Sequence, residues 1–205
     1  MKHSFLFLIG IVAHGLVSFS PSAAAALPSE TIRNLNAAYR GESNAAHRYK
    51  LFAEAAEKEG YAQVAKLFRA ASKAEEIHRE THKKTIATLG GKVDSFPLDA
   101  VNVKSTAENL RAALQGESYE WDTMYPKFLK TAEEENAREA LRSFRFAMAA
   151  ETEHAKLYQA ALDTLGKIFS EDYYVCQVCG MTVSVLPEKK CSSCRKGVEK
   201  YIKVD

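Results

Sequence analysis

The sequence is short of several things. Its net charge is only +2, and no basic stripe with interleaved aromatics runs along it, so neither charge nor pattern supports a nucleic-acid partner. Cysteine is absent before residue 176, which confines thiolate chemistry to the tail. No apolar run reaches the roughly 20 residues that a membrane-spanning helix needs; the run from Phe5 to about Val17 falls short of it. What is present is the balance of a soluble globular protein, 46% hydrophobic and 26% charged, in a length that suits one domain and a small appendage.

Residues 1–26 read as a leader. Lys2, the apolar run and a small-residue stretch ending Ala24-x-Ala26 before Leu27 have the order of a secretory signal peptide, with an uncleaved anchor as the alternative. No twin arginine precedes the run, so the expected route is general secretion of an unfolded chain. The expected location is the periplasm, with any metal loaded outside the cytoplasm.

Four segments carry helical periodicity. They run from about Ser29, the expected N-cap, to Lys58, from Tyr61 to Leu89, from Ser105 to Thr131, and from Glu133 to Leu165. In the third, Leu110, Leu114, Trp121, Met124 and Phe128 are expected to face inward, with a kink at Pro126. Residues 90–104 lack helical pattern and are long for a helix-to-helix link. Short links on either side of one long crossover give an all-α, ferritin-like four-helix bundle over residues 27–168.

Carboxylates fall on the apolar stripes. Glu42 lies seven residues after Leu35 and seven before Tyr49; Glu75 lies seven after Phe68, and His78 seven after Ala71. Glu117 is three past Leu114, Glu151 is seven past Phe144, and His154 shares its face. A buried charge is very unfavourable unless paired or metal-bound, and no Lys or Arg sits on those faces. Metal cations are the counter-charge this pattern calls for. Glu120, three past Glu117, adds a fifth carboxylate. Tyr49 and Tyr125 are phased to hydrogen-bond near the metals or to pack as aromatics. His82 is either a support for the site or a core histidine, and His47 carries a weaker signal.

The halves also repeat. FRAASKAEEIH at 68–78 shares Phe, Arg, two Ala, Glu and His with FRFAMAAETEH at 144–154. Gly-Glu42-Ser matches Gly-Glu117-Ser, and Tyr49-x-x-Phe52 matches Tyr125-x-x-Phe128 one residue out of step. A helix pair used twice supplies two half-sites for a pair of metals, a Glu from each of two helices and Glu-x-x-His from the others. The tail, residues 169–205, is too short for an ordinary core and needs a staple. Cys176-x-x-Cys179 and Cys191-x-x-Cys194 form two knuckles for one tetrahedral zinc or iron, with two disulfides as the alternative.

These motifs, GES at 41–43, EEIH at 75–78, GESYEWDTMYP at 116–126, ETEH at 151–154 and YVCQVCG at 174–180, resemble those of the rubrerythrins. The resemblance implies a ferritin-like diiron domain followed by a rubredoxin-like domain with one iron (or zinc) in four thiolates. It implies diiron ligands Glu42, Glu75, His78, Glu117, Glu120, Glu151 and His154, with Glu75 and Glu151 bridging and with His78 and Glu120 exchanging on one iron. It also implies reduction of hydrogen peroxide to water, with electrons entering through the tail iron, and a homodimer or homotetramer paired head to tail. Iron oxidation and storage, or a manganese catalase-like reaction, are the competing functions. An exported protein has no NADH at hand, so the expected donor is an exported redox protein or a membrane redox chain. One departure from the family pattern is Arg195, where a glycine usually follows the second knuckle.

Overall fold

The computed structural model describes Met1 and residues 27–167 and 170–205. The leader expectation falls on residues outside these. Among the described residues no helix is long and apolar enough to cross a membrane.

Helix α1 (Ser29–Lys58) and α2 (Ala62–Thr88) form an antiparallel pair closed at Gly60, whose φ of 83° makes the sharp reversal. Helix α1 begins at Ser29 itself, with Pro28 at the N-cap and no side-chain cap. Ser29 is therefore not the cap. The free backbone N–H groups of Glu30 and Thr31 instead donate to the Glu135 carboxylate, at 3.2 and 2.7 Å. A distant acidic residue does the capping, and it ties the first helix to the loop before the last one.

The second pair starts after the crossover, whose residues 92–105 are irregular. Asn36 accepts from Asp94 N–H at 2.9 Å and donates to Lys92 O at 3.0 Å, which pins the crossover to α1. Helix α3 (Thr106–Tyr119) opens with a capping box between Ser105 and Glu108. It passes into one π turn, Glu120–Met124, and continues as α4 (Tyr125–Glu134). Pro126 stands just after the π turn, and its missing N–H is accommodated by that irregularity instead of by a break. The last helix, α5, covers Arg138–Asp163. It starts later than the sequence pattern suggests, because α4 runs on through Glu134 and Asn136 turns the chain at φ 56°.

The π turn also corrects the expectation for Trp121. A continuous α-helix would place it inward, seven residues after Leu114, but it is 38% exposed. The wider turn rotates the following residues, so Tyr125 becomes fully buried in its stead.

Two apolar layers flank the carboxylate level. One contains Phe52, Leu67, Phe68, Leu110 and Tyr158, the other Leu35, Ile86, Tyr125 and Phe144. Beyond α5 the tail makes a three-stranded antiparallel sheet in the order β2-β1-β3, from β1 (Tyr173–Cys176), β2 (Thr182–Val183) and β3 (Tyr201–Val204). The sheet packs on α2 and α5 of its own chain. Its cysteine cluster is continuous with Phe146 and Ala149 of α5.

Candidate metal centre

Glu42 on α1, Glu75 and His78 on α2, Glu117 on α3, and Glu151 and His154 on α5 are all buried, at 2% exposure or less. They form two sets whose ligand atoms lie within 4.8 Å of one another: Glu42, Glu75, His78 and Glu151, and Glu75, Glu117, Glu151 and His154. Glu75 and Glu151 belong to both. His78 Nδ1 is 2.8 Å from Glu75 Oε2 and 3.0 Å from Glu151 Oε1. His154 Nδ1 is 2.8 Å from Glu151 Oε2 and 3.2 Å from Glu75 Oε1.

The donor set fits a pair of cations. Glu42 Oε2, Glu75 Oε1, both Glu151 oxygens and His154 Nδ1 are buried without a hydrogen-bond partner, although several are close neighbours. Unpaired lone pairs converging on shared space are costly in a dry core unless a metal takes them. The spacing of the sets, with two carboxylates common to both, gives two adjacent positions.

The electrostatics reflect four carboxylates crowded around two imidazoles. Burial raises Glu42 well above the usual carboxylate range, and the charges of Glu120 and Glu75 add to this. Glu117 is pushed up to about 8 by burial and by Glu75 and Glu151. Burial also disfavours the charged form of Glu75, yet the His154 and His78 imidazoles outweigh it and hold that carboxyl below its normal value. His78 is driven up to about 10: burial opposes its charging, but Glu151 and Glu75 prevail. Metals that take these atoms displace protons from them.

Tyrosines support the outer carboxylates. Tyr49 O–H donates to Glu117 Oε1 and Tyr125 O–H to Glu42 Oε1. Behind Tyr125 stands His82, fully buried, with Nε2 3.1 Å from the phenol oxygen and Nδ1 2.8 Å from Ser143 Oγ. Burial and the neighbouring His78 hold His82 down at about 3, so it is neutral. Since Tyr125 gives its only proton to Glu42, its oxygen accepts from His82 Nε2–H, and Ser143 O–H donates to Nδ1. The equivalent position one turn past His154 is Tyr158, whose hydroxyl has no partner. The two half-sites are thus alike in ligands and different in support.

Glu120 stands at the head of the π turn, half-buried and outside both ligand sets. Burial and the charges of Glu117 and Glu151 raise its carboxyl, so it shares the same field. His47 is in neither set.

In the tail, Cys176, Cys179, Cys191 and Cys194 are free thiols, clustered within 4.8 Å. Cys176 Sγ lies 3.7 Å from Cys194 Sγ, and Cys179 Sγ 3.6 Å from Cys191 Sγ. Those separations are far too long for disulfides. They match the edge of a tetrahedron with metal–sulfur bonds of about 2.3 Å. A hydrogen bond from Cys179 pulls the Cys176 thiol down to about 5, which favours the thiolate a metal needs. Each knuckle closes on a residue with positive φ, Gly180 at 76° and Arg195 at 62°. For Arg195 that conformation costs about 1 kcal/mol relative to glycine.

The tail seats directly on the bundle site. His78 Nε2–H donates to Cys179 O at 3.0 Å, and His154 Nε2–H donates to Thr182 Oγ1 at 2.9 Å. Thr182 in turn donates to Gly180 O at 3.2 Å. A Cβ at Gly180 would fall 2.1 Å from His78 Nε2, so only glycine permits this approach. Each histidine thereby points one nitrogen at carboxylates and the other at the tail, which fixes its tautomer and ring orientation. In this chain the tail of the same subunit lies against the site. Thr182 and Ser143 were not candidates from sequence, and no local signal marks them; Gly180 is visible as the glycine that follows the first knuckle, but its approach to His78 arises only on docking.

A family model described as Rubrerythrin matches residues 33–162. The chain belongs to the rubrerythrin family. It is 39% identical to the rubrerythrin of Porphyromonas gingivalis over 176 residues, covering 81% of this chain and 86% of that one. It is 34% identical to the nigerythrin of Nitratidesulfovibrio vulgaris over 164 residues, 80% of this chain and 81% of the relative. Fully reduced, all-ferrous nigerythrin superposes with a TM-score of 0.78 at 32% identity, covering 91% of each chain. A bacterioferritin of Mycobacterium tuberculosis, at 22% identity and a TM-score of 0.62, shares the bundle fold over 67% of this chain and 87% of its own. Rubrerythrins are diiron oxidoreductases of oxidative-stress defence, and the two donor sets in this member suit that class.

Proposed function

We propose that the protein reduces hydrogen peroxide to water at a diiron site in the bundle, with electrons arriving through an iron held by the four cysteines. The observation that carries this reading is the pair of histidine contacts to the tail, from His78 to Cys179 O and from His154 to Thr182. They join the cysteine cluster to the carboxylate cluster through two short hydrogen bonds.

In this reading Glu42, Glu75, His78, Glu117, Glu151 and His154 would hold the iron pair, with Glu75 and Glu151 common to both donor sets and Glu120 a carboxylate in reserve. Bound irons would supply the two electrons that cleave the O–O bond, and the four-thiolate site, with no open coordination position, would supply replacements singly. The reaction also consumes two protons. Tyr49 O–H holds the orientation of the Glu117 carboxylate. Tyr125, backed by His82, does the same for Glu42. The tail covers the histidine edge of the site and keeps bulk water from it.

The protein acts after export to the periplasm, as a homodimer or homotetramer, and draws electrons from an exported redox protein or a membrane-linked chain. The test is the double variant Cys176→Ser, Cys179→Ser. Turnover with an external donor should be lost, while the chemically reduced bundle site still consumes about one peroxide per site in stopped flow. Full turnover in that variant would refute the relay. Absence of the single-turnover reaction with diiron content intact would show that the tail does more than relay electrons.

A further inference from the structure

Arg195 has a backbone that glycine would adopt with less strain. Its φ is 62°, in the left-handed region, and the matching residue of the first knuckle is Gly180. At Gly180 the reason for glycine is visible, since a side chain would strike His78. At Arg195 the side chain is exposed and, among the described residues, within ion-pair distance of no carboxylate. Its backbone N–H donates to Cys191 O at 3.1 Å, a bond that a glycine makes equally well. Strain kept where the backbone does not require it points to a use for the side chain.

The surroundings indicate that use. Cys194, the neighbour of Arg195, is the one cysteine of the four that is not buried. The knuckle hairpin brings further cations to this edge: Lys190 pairs with Gly197, and Cys191 N–H donates to Lys196 O. From Glu188 to Lys200 the hairpin carries five cations against two carboxylates, so its field is positive. Ser193 forms one wall of a groove of about 460 Å³ whose other wall presents Arg138 and Arg142 of α5, both exposed. Phe146 lines the same groove and packs against the cysteine cluster. The loop leading into the hairpin exposes Val185 and Leu186. Apolar contacts with a basic surround, at the least buried ligand of a redox site, form a surface suited to brief electrostatic docking.

We propose that this face docks an acidic one-electron carrier protein, with Arg195 beside Cys194 at its electrostatic centre. The inference rests on the reading that electrons arrive through the cysteine site. The carrier would lose one electron and ferric iron held by the four thiolates would take it up, with no bond made or broken. Positive charge around the site steers an anionic partner into contact and excludes a cationic one.

The test uses the full mature chain with zinc in the cysteine site, so that binding is read apart from turnover. Calorimetry measures affinity for an acidic plant-type ferredoxin and for a basic cytochrome c. Ferredoxin should bind and cytochrome c should not, and raising salt from low to physiological strength should weaken ferredoxin binding roughly tenfold. Arg195→Gly should weaken it roughly fivefold, the size of one exposed ion pair, while the thermal midpoint holds or rises. Arg142→Glu should weaken it at least as much. Unchanged affinity in Arg195→Gly, or equal binding of both carriers, overturns the proposal. So does binding to phosphatidylglycerol vesicles with none to ferredoxin. In the iron-loaded protein, intact ferredoxin binding without reduction of the tail iron would instead count against the relay and leave the docking face standing.

Discussion

The imidazole of His78 touches both halves of the molecule: Nδ1 lies 2.8 Å from Glu75, and Nε2–H donates to the carbonyl of Cys179 at 3.0 Å. One ring therefore links the bundle carboxylates to the first cysteine knuckle. The contact is possible because Gly180, the next residue, has no side chain and turns at φ 76°.

Replacing Gly180 by Ala tests that contact. The new Cβ would meet His78 at 2.1 Å, and the left-handed backbone adds about 1 kcal/mol of strain. The knuckle should lift from the bundle while the four cysteines still bind metal. Reduction of the bundle site through the tail should slow about tenfold or more, since both the hydrogen bond and the close approach are lost. Stopped-flow spectroscopy at the two sites decides this, and an unchanged rate would remove the docked tail from the electron path.

Glu75 and Glu151 belong to both ligand sets. Changing either to Ala should lower metal content by at least one ion per chain, with the other positions weakened as well. Metal analysis after loading with ferrous iron is the measurement. Full occupancy in both variants would contradict the bridging assignment.

His82 sets a pH dependence. Its folded-state value of about 3 lies below the ordinary 6.5, so the fold prefers the neutral ring and the unfolded chain binds more protons below pH 6.5. Its stabilising contribution is complete above about 6.5 and is lost as pH falls towards 3, with an upper bound of about 5 kcal/mol. The substitution His82→Gln cannot titrate, so the metal-free variant should lose stability less steeply than the metal-free parent between pH 6.5 and 4. Urea midpoints across that interval give the comparison; parallel curves would mean that His82 is protonated inside the fold.

The leader reading makes its own prediction. Intact mass of protein from its native compartment should correspond to a chain beginning at Leu27, after Ala24-x-Ala26. A full-length mass with membrane association would establish an anchor instead.

Much of the site was legible along the chain. Glu42, Glu75, His78, Glu117, Glu151 and His154 fall on apolar stripes because a helix repeats its faces every 3.6 residues, and the structure buries all six. The repeated blocks identified α2 and α5 as equivalent, and the long crossover gave the connectivity. Paired Cys-x-x-Cys spacing identified the tail cluster, because two residues between cysteines suit a turn that aims both sulfurs at one point.

Other features depend on contacts that no local pattern encodes. The sequence displays the one-residue lag between Glu42…Tyr49 and Glu117…Tyr125, but only the fold resolves it. The π turn at Glu120–Met124 absorbs the extra residue, turns Trp121 outward and lets Tyr125 reach Glu42. The cap of α1 is Glu135, more than a hundred residues away, so Ser29 looked like the cap from its own neighbourhood. The positions of Ser143 behind His82, and of Thr182 and Cys179 against His154 and His78, follow from how separate elements pack. Periodicity fixes which face of a helix is buried; it does not specify the atoms that meet that face, because those come from residues distant in the chain and are chosen by shape and hydrogen-bond complementarity when the elements close on one another.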